Sequence, residues 1–91
     1  MSFKSQKSPG FQMTFKNGWT ISVQWHTGAY CERKGESYPW SSKDPNPATS
    51  KDAEIAAWDK DGNWYQFEHD QVLGWQTADE VADFMNKIKS L

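Results

Sequence analysis

Hydrophobic and polar residues alternate in two segments near the start of the chain, with a short polar stretch between them. The apolar positions in these segments are Phe11, Met13, Phe15, Trp19, Ile21, Val23 and Trp25. A period of two is that of a strand with one buried face. A three-residue turn at Lys16-Asn17-Gly18 pairs Phe15 with Trp19 and keeps every apolar residue on one face, whereas a two-residue Asn-Gly turn would mix the faces. The pattern therefore predicts a β-hairpin whose turn ends in a bulge, with Gly18 in the left-handed conformation.

A second pair of segments, residues 52–58 and 63–68, flanks another three-residue turn that ends in glycine, Lys60-Asp61-Gly62. The same register argument predicts a second hairpin. Its facing pairs are Ala57 with Tyr65 and Ile55 with Phe67 towards the core, and Trp58 with Trp64 on the opposite face. The Trp pair is thus expected on the outer face of the sheet, which is the face opposite the core.

The C-terminal segment has the pattern of an amphipathic helix. Thr77 and Glu80 have the spacing of a capping box, in which each side chain bonds a free amide at the start of a helix. The apolar residues that follow fall on one helical stripe: Val81, Phe84, Met85, Ile88 and Leu91. Acidic residues near the start and lysines near the end suit the helix dipole. We predict a helix that docks on the sheet, preceded by residues 72–75, where Trp75 is expected to close the edge of the core.

Together these elements predict an α+β fold: a four-stranded antiparallel sheet of two hairpins with one C-terminal amphipathic helix packed on one face, in the order β-β-loop-β-β-α. Residues 1–9 are short and polar and are expected to form a flexible arm, and residues 10–91 a single α+β domain. A long loop, residues 26–52, joins the hairpins. A connection of this length in so small a domain is usually functional or contains a further element.

The composition adds a constraint on the core. The 91 residues include six Trp, and 15% of the chain is aromatic although only 36% is hydrophobic. With so few aliphatic residues, the aromatic side chains are expected to build most of the core of one small domain. No apolar run approaches the roughly 18 residues of a membrane span, and the start of the chain lacks the apolar segment of a secretion signal. We therefore expect no membrane association and a cytoplasmic location.

The net charge of −2 is unevenly distributed, since residues 1–51 carry a net +4 and residues 52–91 a net −6. The negative total argues against nucleic acid as a partner. The asymmetry fits an acidic face that is merely solvated, a basic half that receives an anionic ligand, or copies that associate head to tail.

Candidate catalytic and metal-binding residues are few. Cys31 is the single cysteine, which suits a reducing compartment, and with His26 and His69 it has no recognisable zinc-site spacing. His69 and Asp70 are adjacent in sequence, and because neighbouring residues on a strand point to opposite faces, we do not expect them to form a dyad. The acidic turn at residues 59–63 lacks the glycine and glutamate positions of a calcium-binding EF-hand. We expect no catalytic residue, no metal site and no cofactor.

The candidate ligand- or partner-binding residues are aromatic and basic: Tyr38, Trp40, Trp58, Trp64, Arg33 and Lys34. Two interpretations are open. In one, the loop folds over the outer face, and Tyr38 and Trp40 cover the Trp pair in a second small core. In the other, the rings form a cleft beside the two basic side chains, and such surfaces suit a nucleobase with a phosphate, or a cationic ligand. The two interpretations are compatible if the loop covers the Trp pair only in part.

Three stretches, Phe15–Trp25, Ala53–Asp59 and Val72–Gln76, resemble short uncharacterised accessory proteins of bacteriophages and prophages. The resemblance carries no catalytic motif, and it implies an accessory protein that acts by binding in a bacterial cell. We expect a non-enzymatic binding protein that uses the aromatic surface of loop 26–52 and the outer sheet face to bind a host protein or a nucleotide-like small molecule. The alternative is a structural or assembly module that forms a homo-oligomer through its charge dipole and aromatic edge.

Overall fold

The computed structural model describes residues 2–5, 9–35 and 49–91, which form one sheet and one helix. In chain order the elements are β1 (Ser2–Ser5), β2 (Gly10–Thr14), β3 (Thr20–Gln24), β4 (Ala53–Trp58), β5 (Leu73–Gln76) and α1 (Ala78–Lys89). All five strands are antiparallel and lie in the order β1-β2-β3-β4-β5. α1 packs on β3, β4 and β5. The fold is therefore α+β, with the helix at the C-terminal end as predicted.

The β2–β3 hairpin confirms the predicted register. Met13 pairs with Ile21, and the Phe15 N–H donates to the Trp19 carbonyl at 2.8 Å. Gly18 closes the turn with a φ of +92°, a conformation that a residue without a Cβ adopts at little cost. The choice between the two- and three-residue turns, made on which faces would be apolar, is thus correct.

The core lies between one face of the sheet and α1. Among the described residues, those buried in it are Ile21, Val23, Ala53, Ile55, Ala57, Val81, Phe84 and Ile88. Only one of these is aromatic, so the expectation that aromatic side chains build most of the core is wrong. The other rings pack around it and stay partly exposed: Phe11, Phe15, Trp19, Trp25, Tyr65 and Phe67. Because packed layers lie only about 10 Å apart, the centre takes branched aliphatic side chains, and the wide rings fit where the edges open.

α1 begins with the predicted capping box. The Thr77 hydroxyl accepts a hydrogen bond from the Glu80 N–H at 3.3 Å, and the Glu80 carboxylate accepts one from the Thr77 N–H at 3.0 Å. Val81, Phe84 and Ile88 are the buried residues of its apolar stripe. The described part of the chain contains no helix that is long and apolar enough to cross a membrane.

Asn17, in the β2–β3 turn, holds the other end of α1. Its Nδ2 donates to the Ile88 carbonyl at 2.9 Å and to the Leu91 carbonyl at 3.2 Å. Its Oδ1 accepts from the Trp19 N–H at 3.0 Å. Since carbonyls at the end of a helix have no partner within the helix, this one side chain joins the first hairpin to the last element.

The second hairpin follows the prediction near its tip. The Tyr65 N–H donates to the Ala57 carbonyl at 2.8 Å, and Trp58 forms an isolated antiparallel bridge with Trp64. Both pairs are those that the three-residue turn requires.

Beyond the tip, the predicted fourth strand over residues 63–68 is wrong. Ile55 of β4 pairs with Leu73 of β5, whereas the Phe67 N–H donates to the Asp70 carbonyl at 2.8 Å and turns the chain away from the sheet. One edge of β4 can pair with only one strand at each position. β5, which leads directly into α1, occupies the part of that edge that the hairpin was expected to use.

β1 is a further strand within residues 1–9, where the sequence indicated an arm without regular structure. Phe3 pairs with Met13, so Phe3 lies on the helix side of the sheet, yet 80% of it is exposed. The described part of the chain therefore forms a sheet of five strands rather than the predicted four. β1 contains a single apolar residue, which is too little for an alternating pattern to reveal it.

Candidate binding surfaces

Trp58 and Trp64 stack on each other on the outer face of the sheet, as the register argument predicts. Their ring centroids lie 5.0 Å apart with an angle of 35° between the planes. Trp58 pairs with Thr20, whose hydroxyl hydrogen-bonds that of Thr14 at 2.8 Å. Trp64 is 44% exposed. The outer face thus carries an accessible indole beside hydroxyl groups, at the end of the sheet where the hairpins turn. The other two predicted aromatic residues, Tyr38 and Trp40, lie outside the described residues.

The two predicted basic residues have different environments. Arg33 is buried, with 3% of it exposed, and its Nε donates to the Thr49 carbonyl. Its guanidinium therefore ties two parts of the chain together. Lys34 is exposed, and its Nζ lies 4.5 Å from the centre of the Tyr30 ring. Lys34 is the basic residue of the pair that is accessible to a ligand.

β5 contains a bulge that reorients its aromatic residue. Between the pairs Ala53–Gln76 and Ile55–Leu73 the register shifts, so that two residues of β5 lie opposite Glu54 alone. Trp75 is the second of these two, and its φ of +52° is the one positive value among the described non-glycine residues. A side chain in this conformation costs about 1–2 kcal/mol. Bulges of this kind re-aim a side chain away from the regular alternation of a strand.

Trp75 is consequently exposed, and the expectation that it closes the edge of the core is wrong. The indole is 55% exposed and stacks on the Tyr30 ring, with centroids 5.6 Å apart. Tyr30 is itself 42% exposed. We call Tyr30, Lys34 and Trp75 the Tyr30–Trp75 surface.

The backbone of Tyr30 is held on both sides. Its N–H donates to the Glu54 carboxylate at 3.0 Å, and its carbonyl accepts from the Trp75 N–H at 2.8 Å. Gly74 lies so close that a Cβ there would be 2.5 Å from the Tyr30 Cβ. The two rings are therefore presented by a rigid backbone, although both lie at the surface.

The segment that carries Tyr30 is built of tight turns. Among its hydrogen bonds, the Lys34 N–H donates to the Cys31 carbonyl at 3.0 Å, and the Glu32 N–H donates to the Asp52 carboxylate at 2.7 Å. Cys31 is 2% exposed, and its burial raises the pKa of the thiol. This first part of the predicted long loop is thus an anchored scaffold, and its sequence signal is the turn residues Thr27, Gly28 and Gly35 on either side of it.

In the acidic turn after β4, the Asp59 carboxylate accepts hydrogen bonds from residues of the same turn. Asp59 accepts from the N–H groups of Asp61 and Asn63, both at 2.9 Å, and from the Asn63 side chain at 3.2 Å. These hydrogen bonds, led by that from the Asn63 backbone, lower the Asp59 pKa. No group of three His, Cys, Asp or Glu side chains in the described ranges is placed to hold a metal ion.

The two exposed aromatic pairs lie at opposite ends of β4. Trp58 is at one end of the strand, and Glu54, which holds Tyr30, is four residues away, about 13 Å along the strand. The predicted register of the second hairpin places Trp58 and Trp64 together. It does not predict the Tyr30–Trp75 pair, because that pair depends on a bulge.

Comparison with known proteins assigns no function to either aromatic pair, since no family model, no curated protein and no solved structure matches this chain.

Proposed function

We propose that this chain is a non-enzymatic binding protein that engages a protein partner through the Tyr30–Trp75 surface. The observation that carries the proposal is Trp75 itself: an indole that is more than half exposed in a backbone conformation that folding disfavours. Stacking on Tyr30 contributes about 0.5–1.5 kcal/mol beyond the area that the rings bury, an amount close to the roughly 1–2 kcal/mol that the left-handed backbone costs. The left-handed backbone thus cancels much of what the side chain contributes to stability, and more than half of the indole stays available to a partner.

The composition of the surface is that of a protein–protein hot spot. Trp and Tyr are the residues that most often dominate binding energy at interfaces, because they bury much area and lose little conformational freedom. The Tyr30 backbone is fixed by Glu54 and by Trp75, so ordering the surface on binding costs little. Lys34, beside the ring, supplies a cation at the rim.

The charges around this surface favour a protein over a nucleotide-like molecule. A base stacked on Tyr30 with its phosphate on Lys34 is the other ligand that the residue types suggest. However, the Glu54 carboxylate contacts the Tyr30 amide, and the carboxylates of Glu32 and Asp52 belong to the same anchored segment. The positive charges of Arg33, Lys34 and Lys51 are balanced by these three carboxylates, so the region has no net positive charge that would favour a phosphate dianion. The resemblance to phage accessory proteins suggests a protein of the bacterial host as the partner.

The test compares Trp75→Gly with Trp64→Ala. Trp75→Gly removes the indole and the backbone strain together, so the melting temperature should not fall by more than a few degrees. A partner is first captured from bacterial lysate with the wild-type chain, purified, and titrated by calorimetry. We expect Trp75→Gly to weaken binding by roughly 30-fold, the equivalent of a 2 kcal/mol hot spot, and Trp64→Ala to leave the affinity within about threefold.

Equal affinity of wild type and Trp75→Gly for the purified partner would reject this surface. Loss of binding in Trp64→Ala alone would move the interface to the Trp58–Trp64 pair. A melting temperature that rises with nucleotides in the wild type but not in Trp75→Gly would support the nucleotide-like ligand instead of a protein.

A second candidate function, assembly into a homo-oligomer, is favoured by one observation. β1 is an edge strand with an exposed apolar residue, Phe3, and edge strands that are not protected pair readily with other chains. Light scattering over a range of concentrations tests this function. An oligomer that Phe3→Ser dissociates would support it, and a strict monomer at high concentration would reject it.

A further inference from the structure

We propose that a cleft on the helix side of the sheet is a second binding site, which takes a neutral, largely apolar small molecule. The cleft has a volume of about 440 Å³. Phe11, Val23 and Trp25 line it on the side of the sheet, and Val81 and Met85 line it on the side of α1. It lies across the sheet from the Trp58–Trp64 pair, and Tyr30, Lys34 and Trp75 are not among the residues that line it.

The cleft exists because one helix covers only part of a five-stranded sheet. α1 packs on β3, β4 and β5, and β2 extends beyond it with Phe11 on the same face as Val23. The flank of α1 that faces this side carries Ala78 and Ala82, and these small side chains do not fill the space. Phe11 and Trp25 meet edge to face, with centroids 6.2 Å apart, and form an aromatic wall.

The walls are suited to an apolar molecule. Sites of about 300–1,000 Å³ with mostly hydrophobic and aromatic walls and a few polar groups are typical of small-molecule binding. A volume near the lower end of this range fits a molecule of one or two rings. Met85 adds an adaptable contact, since an unbranched thioether side chain adjusts to irregular shapes.

The polar groups at one end of the cleft indicate that the molecule is neutral. Lys51 and Asp52 line the cleft with opposite charges, so its lining has no net preference for an anion or a cation. Asp52 accepts from the Glu32 N–H at 2.7 Å, and the Ser50 hydroxyl donates to the Asp52 carbonyl at 2.6 Å. The Gln76 side chain donates to the Gly74 carbonyl at 3.0 Å, which leaves its own carbonyl oxygen able to accept one hydrogen bond.

The test uses two probes that share a naphthalene ring, 2-naphthol with a neutral hydroxyl group and 2-naphthoate with a charged carboxylate. Each is titrated into the full chain at neutral pH, and binding is followed by NMR of the methyl and amide groups. We expect 2-naphthol to produce saturable shifts at Val23, Ala53 and Met85, with nuclear Overhauser contacts between its ring and the Met85 methyl. The carboxylate should bind at least roughly tenfold more weakly, because burying an unpaired charge is unfavourable.

Two variants on the same helix supply a matched comparison. Ala82 lines the cleft and Asn86 does not, and both are exposed. Ala82→Trp should fill the cleft and abolish naphthol binding, whereas Asn86→Trp should leave it unchanged. Trp75→Gly should also leave it unchanged, which separates this site from the proposed protein-binding surface.

Several results would overturn the inference. These are equal or tighter binding of 2-naphthoate, retained binding in a folded Ala82→Trp, or probe shifts that map to Tyr30 and Trp75. Shifts at the cleft that depend on protein concentration without any probe would assign it to contact between two copies. Should Ala82→Trp fail to fold, the absence of contacts between naphthol and the Met85 methyl in the wild type would still reject the site.

Discussion

Gly74→Ala is the most direct test of how the Tyr30–Trp75 surface is built. A Cβ on residue 74 would lie 2.5 Å from the Tyr30 Cβ and 2.8 Å from the Tyr30 carbonyl oxygen. Neither atom can move alone, because the Tyr30 N–H is bonded to Glu54 and its carbonyl to the Trp75 N–H. One added methyl group must therefore displace the backbone on which both exposed rings depend.

The expected magnitude follows from three contributions. Overpacking of this kind costs about 1–3 kcal/mol, and loss of the hydrogen bond between Trp75 and Tyr30 costs about 0.5–1.5 kcal/mol. Replacing glycine by alanine stabilises the folded state by about 0.4–1 kcal/mol, because it restricts the unfolded chain. We expect Gly74→Ala to lower the free energy of unfolding by about 2 kcal/mol.

Urea unfolding measures this change, with the slope of the transition expected to stay constant. Gly62→Ala is the control, since Gly62 has a φ of +84° and a Cβ added there would have no other atom within 4 Å. It should lose only about 1 kcal/mol, from backbone strain, and it should leave the Trp75 indole NMR signal in place. A Gly74→Ala chain within 0.5 kcal/mol of wild type (roughly the error of such measurements), with an unchanged indole signal, would refute the argument.

Three further predictions concern the anchors of the fold. Asn17→Ala should lower the free energy of unfolding in urea by about 1–3 kcal/mol, because two hydrogen bonds to the end of α1 are lost. Asn17→Asp should lower it further, since a carboxylate there cannot donate a hydrogen bond and is repelled by the negative end of the helix dipole. Hydrogen bonds with Thr77 lower the Glu80 pKa. The contribution of Glu80 to stability is therefore complete above the ordinary glutamate pKa, and it is lost as the pH falls through the lowered pKa of the folded state. As the pH is lowered, the urea midpoint should decline less steeply for Glu80→Gln than for wild type. Burial raises the pKa of the Cys31 thiol, so a thiol reagent at neutral pH should label the folded chain much more slowly than the urea-unfolded chain.

The parts of the fold that sequence analysis predicts correctly are those fixed by neighbouring residues. The β2–β3 register depends on a turn of three residues, and the capping box depends on the four consecutive residues from Thr77 to Glu80. The tip of the second hairpin is correct for the same reason. The strand over residues 63–68 fails because its pairing with β4 competes with a segment further along the chain, and a local pattern contains no information about that competitor.

Exposure of Trp75 could not be predicted from hydrophobicity either. The alternation rule assigns a side chain to a face by counting residues along a strand, and one inserted residue reverses the assignment. Gly74 before Trp75 is the one local signal, since an isolated glycine in a strand often marks a bulge or a close approach of backbone. The Trp58–Trp64 pair was predictable because it lies next to a turn whose length and glycine position fix the register.

The placement of the aromatic residues separates those that stabilise the fold from those that need another explanation. Rings such as Trp19 and Trp25 lie at the edge of the core, where Trp19 meets Tyr65 edge to face at 6.4 Å. Each closes a gap that the two-layer architecture leaves open, so each is accounted for by stability. Trp75 closes no such gap, and it adopts a backbone conformation that any glycine would adopt at lower cost. The fold does not require an indole at this exposed position, which is why we propose that a partner contacts the Tyr30–Trp75 surface rather than the more numerous rings around the core.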